Sequence, residues 1–124
     1  MDINTINVLV LAYLGDTIYE DYIRLYLINN GINNVNQLQT EACKYVSAKA
    51  QASFVYKLID LGFFTETELS VLKRARNYKS SNHPKNTDIM TYKYATGFEA
   101  VIGYLKLENN IERIEEIINK ILSF

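Results

Sequence analysis

Two short segments far apart in the chain each set a carboxylate in an otherwise apolar, helical stretch. They are Leu14-Gly15-Asp16-Thr17-Ile18-Tyr19-Glu20 and Thr96-Gly97-Phe98-Glu99-Ala100. An ionised carboxylate on an apolar helix face is costly unless something pairs with it. Two that converge make a site for a hard cation such as Mg²⁺, which takes oxygen ligands. Asp16 has Ala12, Gly15 and Tyr19 at i−4, i−1 and i+3. Glycine in mid-helix costs about 1 kcal/mol relative to alanine, and it suits a place where another backbone or a ligand approaches closely. Asp16 is therefore expected at a tight junction, away from bulk water, with a buried ion pair or a cap acceptor as the structural alternative. Glu99 repeats the pattern among Phe98, Ala100, Val101, Ile102 and Leu105. Lys93 and Lys106 stand off ion-pairing spacing, while Ala95 and Gly103, four residues to either side, leave room for an approach. A structural pairing is the alternative here too. Glu20 shares a helix face with Asp16 and is either an outer metal ligand or the partner of Arg24, four residues on.

A basic run is the third feature. Lys73, Arg74, Arg76, Lys79 and Lys85 fall between positions 73 and 85 with no acid among them. Asn77, Tyr78, Ser80, Ser81 and Asn82 add hydrogen-bonding groups. Cations at a helix C-terminus complement its dipole, which accounts for Lys73 to Arg76 but not for the continued basic loop. Charge of this density suits a phosphate backbone. His83 is the only histidine and Cys43 the only cysteine, so His83 is expected to be a loop residue and a structural zinc site is nearly excluded.

The elements that must position these residues show helical spacing throughout. Residues 4–29 form one predicted helix, with Val8, Leu11, Gly15, Ile18, Tyr19 and Tyr22 at 3/4 spacing and Asn29-Asn30-Gly31 as a stop. Short and longer helices are predicted over 35–42 and 46–61. Thr65 and Glu68 stand at capping-box spacing ahead of a helix to Arg76. Residues 77–86 form the one clear loop. Thr87 or Asp88 caps a helix running to about Glu108, and 111–122 is a last amphipathic helix with Ile114, Ile117, Ile118, Ile121 and Leu122. The expectation is an all-α fold of one domain, 1–124.

Composition fits that reading. The chain has 124 residues, a hydrophobic fraction of 48% and a net charge of −1, so partners follow from the charge distribution rather than the total. Cys43 cannot form an internal disulfide and is expected as a half-buried thiol. No run of about 18 apolar residues suggests a membrane span, and the N-terminus lacks the basic start of a signal peptide. The cytoplasm is the default location. No nucleophilic serine or cysteine motif and no glycine-rich phosphate loop competes with the paired carboxylates. Carboxylates on two helices beside a basic loop suit metal-assisted hydrolysis of a phosphodiester.

At these residues the chain resembles the ribonuclease III catalytic domain. Leu14-Gly15-Asp16 with Thr17-Ile18-Tyr19-Glu20 looks like that family's signature helix, and Phe98-Glu99-Ala100-Val101-Ile102-Gly103-Tyr104-Leu105 like its second acidic segment. The match is closer to the Mini-III branch. It extends through Ala12-Tyr13-Leu14-Gly15-Asp16, Val46-Ser47-Ala48-Lys49-Ala50-Gln51, Leu72-Lys73-Arg74-Ala75-Arg76-Asn77, Pro84-Lys85-Asn86-Thr87-Asp88 and Tyr94-Ala95-Thr96-Gly97-Phe98-Glu99-Ala100. The resemblance implies an all-helical, homodimeric endoribonuclease that cuts double-stranded RNA with Mg²⁺. In the Mini-III branch the implied substrate is precursor 23S ribosomal RNA, trimmed at paired ends. Asp16 matches the family's essential aspartate and Glu99 its late metal-binding glutamate.

The departures bear on the site. The broader family has a glutamate where this chain has Ala12, an aspartate where it has Thr96, and an acid near Ala48 or Lys49. Fewer carboxylates leave more of a cation's coordination to water. No double-stranded-RNA-binding domain is expected behind Phe124, so the catalytic domain itself is expected to grip the backbone through 73–85. Cutting both strands of a duplex calls for two sites related by a two-fold axis. The apolar run Val8-Leu9-Val10-Leu11 is expected to place part of its surface at an isologous interface. Two other classes compete: a catalytically inert helical RNA-binding module, and a helical interaction protein. The second leaves the basic loop and the carboxylates unexplained.

Overall fold

The computed structural model describes residues 2–79, 85 and 88–124. Six α-helices follow a short 3-10 turn at Ile3–Thr5: α1 Val8–Asn29, α2 Val35–Val46, α3 Ala48–Asp60, α4 Glu66–Arg76, α5 Ile89–Leu107 and α6 Ile111–Leu122. The fold is all-α, as expected. Local side chains set most of the ends. Asn7, Asn34, Ser47, Asp88 and Asn110 each accept a hydrogen bond from a backbone N–H of the first turn that follows, meeting donors a helix cannot satisfy itself. Thr65 and Glu68 form the full capping box.

Two boundaries differ from the periodicity. The first helix starts at Val8 rather than at residue 4, because Asp2 caps a separate 3-10 turn and Asn7 opens the helix proper. The second runs to Val46 rather than 42. Ser47 then serves both as the last cap of α2 and the first of α3, so two helices meet at a single residue.

α5 is the centre of the molecule. From Ala95 to Leu105 every residue is buried except Glu99, which is half-buried. A helix apolar all round must be covered all round, and α1, α3, α4 and α6 pack about α5 while α2 lies on α1 and α3. The crossing of α1 and α5 is closest at two glycines. A Cβ on Gly15 would overlap the Glu99 carbonyl oxygen, and one on Gly103 would overlap the carbonyl oxygen of Leu11. Each glycine thus leaves room for the other helix's main chain. Tyr19 and Phe98 meet edge to face beside this crossing, with ring centres 4.9 Å apart.

Arg113 ties α6 to the rest. Its guanidinium donates to both carboxylate oxygens of Glu68 (2.8 and 2.9 Å) and to the Phe63 carbonyl, and lies over the Phe63 ring. Glu68 is 2% exposed, so one buried carboxylate serves the α4 cap and the α6 anchor together.

Candidate active site

The α1–α5 crossing decides where the two carboxylates fall. Gly15 against Glu99 puts the next residue of α1, Asp16, beside the Glu99 side chain. The two carboxyl groups are near enough for Asp16 to hold the Glu99 carboxyl toward its protonated form. Its pKa is pushed up to about 8, first by burial, then by the hydrogen bond and like charge of Asp16, with a further contribution from Glu20; the Gln51 amide opposes the shift. Like charges brought together from two helices, one of them partly out of water, favour a shared proton or a cation. Tyr19, buried below, has its phenol raised by desolvation and by the charge of Glu99, and it donates instead to the Tyr45 carbonyl at 2.8 Å.

Asp16 itself is exposed, which corrects the expectation that it faces a junction away from water. Gly15, not Asp16, occupies the junction, and the aspartate lies at its open rim. The arrangement pairs a solvent-facing carboxylate with a half-buried one. Glu20 follows one turn later on α1, but its carboxylate bonds the Arg24 guanidinium at 3.2 Å. No group of three Asp, Glu, His or Cys side chains stands together among the described residues. Where the broader family carries further acids, Ala12 and Thr96 are small and buried at 7% and 8% exposure.

The residues present fit a hydrated divalent cation. Two carboxylates from facing helices offer hard oxygen donors, and Mg²⁺ is held in this way by one or two carboxylates with water completing the shell. A residue quoted above only as the end of the segment Val46-Ser47-Ala48-Lys49-Ala50-Gln51, without a role, joins them. Gln51 of α3 is 2% exposed. Its Nε2 donates to the Val46 carbonyl at 2.9 Å and to Glu99 Oε2 at 3.4 Å, while Oε1 is buried with no partner among the described residues. A helical glutamine carries no periodic or charge signal, so only the fold identifies it.

The basic residues divide. Arg74 donates to the carbonyls of Asn4 and Ile6 at 3.3 and 3.2 Å, and so holds the N-terminal turn against α4. Arg76 donates to Asn77 Oδ1 and the Tyr94 hydroxyl and lies against the Tyr94 ring. Lys73, Lys79 and Lys85 are exposed. His83 and the rest of 80–84, 86 and 87 lie outside the described residues. Cys43 is exposed rather than half-buried. Leu38, Ala42, Tyr45 and Val46 supply the packed side of α2, and Cys43 falls beside that stripe. No helix among the described residues is long and apolar enough to cross a membrane.

Comparison with known proteins gives the family. The Ribonuclease III domain family matches residues 9–110, which includes both carboxylates. Mini-ribonuclease 3 of Streptococcus pneumoniae is 45% identical, covering 96% of this chain and 93% of its own length. Mini-ribonuclease 3 of Enterococcus faecalis is 49% identical over 95% and 89%. A crystal structure of a Fusobacterium nucleatum protein superposes with a TM-score of 0.85 at 36% identity, covering 98% of this chain and 96% of that one. The chain belongs to the ribonuclease III family, as an endoribonuclease whose relatives are Mini-ribonuclease 3 proteins.

Proposed function

We propose that this endoribonuclease cuts double-stranded RNA in a Mg²⁺-dependent reaction, as a cytoplasmic homodimer, and trims the paired ends of precursor 23S ribosomal RNA. The observation that carries the reading is the approach of Gly15 to the Glu99 main chain, which brings the Asp16 and Glu99 carboxyl groups together across the α1–α5 crossing. Asp16 and Glu99 would hold the cation, with Glu20 acting on Glu99 through its charge. When bound, a divalent cation supplies a Lewis acid for the phosphodiester and a water of lowered pKa. Asp16, at the rim, faces the backbone of the incoming RNA. The positive charge of a cation there would favour the ionised form of Glu99, so that both carboxylates could serve as oxygen donors. The packed rings of Tyr19 and Phe98 close the floor and keep water out beneath the carboxylates. Lys73, Lys79 and Lys85 hold phosphates electrostatically, and Arg74 and Arg76 contribute charge while they fasten their own helix.

The dimer rests on α1. Val8 and Leu11 are buried in the chain's own core at 3% and 0% exposure, so half of the apolar run serves folding. The surplus is Leu9, Val10 and Tyr13, with Val10 and Tyr13 at 55% and 83% exposure. Tyr13 stands one turn before Asp16, so a two-fold axis there brings two sites to one duplex. Tyr13→Glu is expected to give a monomer by sedimentation, and a parent chain that is monomeric at micromolar concentration contradicts the interface.

The substrate is tested with a long RNA duplex and its separate strands in Mg²⁺. Cleavage confined to the duplex supports the reading. Equal cleavage of single strands, or binding of the duplex without cleavage, overturns it. A duplex carrying the paired ends of precursor 23S RNA should be cut at few positions rather than along its length.

A further inference from the structure

The amide of Gln51 is half used. Its Nε2 is fixed by two acceptors, the Val46 carbonyl and Glu99 Oε2. Both are acceptors, so the amide cannot be turned over without losing both bonds. Oε1 is therefore committed to being an acceptor, yet it is buried with no donor near it among the described residues. Buried polar groups are almost always satisfied, by protein or by ordered water, and leaving one unmade costs about 1–3 kcal/mol. Gln51 is also 2% exposed, on the first turn and a half of α3, just past the Ser47 corner. A residue placed there only to brace the corner needs its Nε2 alone.

We propose that Gln51 is a positioning residue of the cleavage site: its Nε2 holds the Glu99 carboxylate toward the α2–α3 corner, and its Oε1 accepts a hydrogen from a water of the cation that Asp16 and Glu99 bind. This rests on the divalent-cation reading of the site above. Water is the donor that fits. The oxygen has almost no exposed surface, which favours a donor as small as water over a ribose or a base. Mg²⁺ surrenders its waters reluctantly and is bound with several of them retained. A site with only two close carboxylates needs acceptors for the hydrogens of those waters. Residues that orient ligands from behind are worth about 10–100-fold in metal affinity or activity.

The test is calorimetric titration of the full chain with Mg²⁺, without RNA, comparing parent, Asp16→Asn and Gln51→Met. Methionine keeps the length of glutamine and removes both the donor and the acceptor. The expected result is a folded Gln51→Met that binds Mg²⁺ about tenfold more weakly than the parent, with Asp16→Asn binding none. Affinity equal to the parent overturns the assignment of Gln51 and leaves the cation reading standing. A parent that binds no Mg²⁺ overturns both. Should Gln51→Met not fold, the side-chain amide of Gln51 in the parent is followed by nuclear magnetic resonance. It is expected to shift as Mg²⁺ is added to the parent, while those of Gln37 and Gln39 stay in place, and to remain unmoved in Asp16→Asn. An amide unmoved in the parent overturns the proposal. Mg²⁺ affinity retained by Gln51→Met with duplex RNA affinity lost would assign Oε1 to the RNA instead, which also overturns it.

Discussion

Gly15 lies against the main chain of Glu99, so close that a Cβ would overlap its carbonyl oxygen. This one approach brings Asp16 to the Glu99 carboxyl. The glycine therefore acts on the chemistry through the fold: it sets the separation of two helices, and the separation sets the distance between two acids.

Replacement of Gly15 by alanine should be among the most destabilising single-methyl changes in this chain. The methyl meets backbone on the facing helix rather than a flexible side chain. Overpacking typically costs about 1–3 kcal/mol, and an overlap with backbone on the facing helix should put Gly15 at the upper end of that range or above it, outweighing the gain of about 1 kcal/mol in helix propensity. At Gly97 the nearest atom is Leu72 Cδ1 at 2.7 Å, the end of a side chain that can turn. Urea unfolding should rank Gly15→Ala as the more damaging of the two, and equal midpoints would contradict the crossing described.

The raised Glu99 carboxyl makes stability depend on pH. Folding raises the Glu99 carboxyl from 4.5 to about 8, so the folded chain binds its proton more tightly than the unfolded chain. The stability it contributes is fully present below about pH 4.5 and is lost as pH rises through about 8. Glu99→Gln resembles the protonated form. It should melt close to the parent at pH 5 and above it at pH 9, by about 1–3 kcal/mol in the absence of cation. A variant less stable than the parent at pH 9 would show that the carboxylate is paired structurally.

Arg113 and Glu68 form the most enclosed ion pair among the described residues, their side chains 16% and 3% exposed. Removing one member leaves the other charge buried. Arg113→Ala should therefore cost about 3 kcal/mol or more. Glu116, which also touches Arg113 but is 61% exposed, should cost less than about 1 kcal/mol when replaced by alanine. Denaturant titration of the two variants checks the contrast.

The lysines and arginines of 73–85 should separate by salt. Lys79→Ala and Lys85→Ala are expected to weaken duplex binding and each to reduce the slope of log affinity against log salt by about 1. Arg74→Ala should also lower the melting temperature, because it releases the Asn4 and Ile6 carbonyls. An unchanged slope in the lysine variants would move the RNA surface elsewhere.

Local rules carried far in this sequence because most of its structure is local. The Thr65–Glu68 capping box, the stop after Asn29 and the isoleucine stripe of α6 depend on neighbours three or four residues away. So did the suspicion that Gly15 and Gly103 mark a close approach. Three features did not show. Arg113 and Glu68 are 45 residues apart and each alone looks like a surface charge. Gln51 gains its meaning only from Glu99, 48 residues on. The exposure of Asp16 differs from the expectation because helical spacing shows which residues share a face, not how far that face extends into solvent. The departures at Ala12 and Thr96 follow the same logic: both are buried against the core, and only the fold shows that no third acid among the described residues replaces them nearby.

Asp16 and Glu99 are proposed to act as one unit in cleavage. This is tested by the rate of duplex RNA cleavage in Mg²⁺ for the parent, Asp16→Asn, Glu99→Gln and the double variant, each shown to be folded by circular dichroism. Residues that serve one cation are strongly non-additive. The account predicts that each single change removes nearly all activity and that the double variant is no slower than the slower single. Near-parental cleavage by Glu99→Gln, or losses that multiply in the double variant, would contradict it.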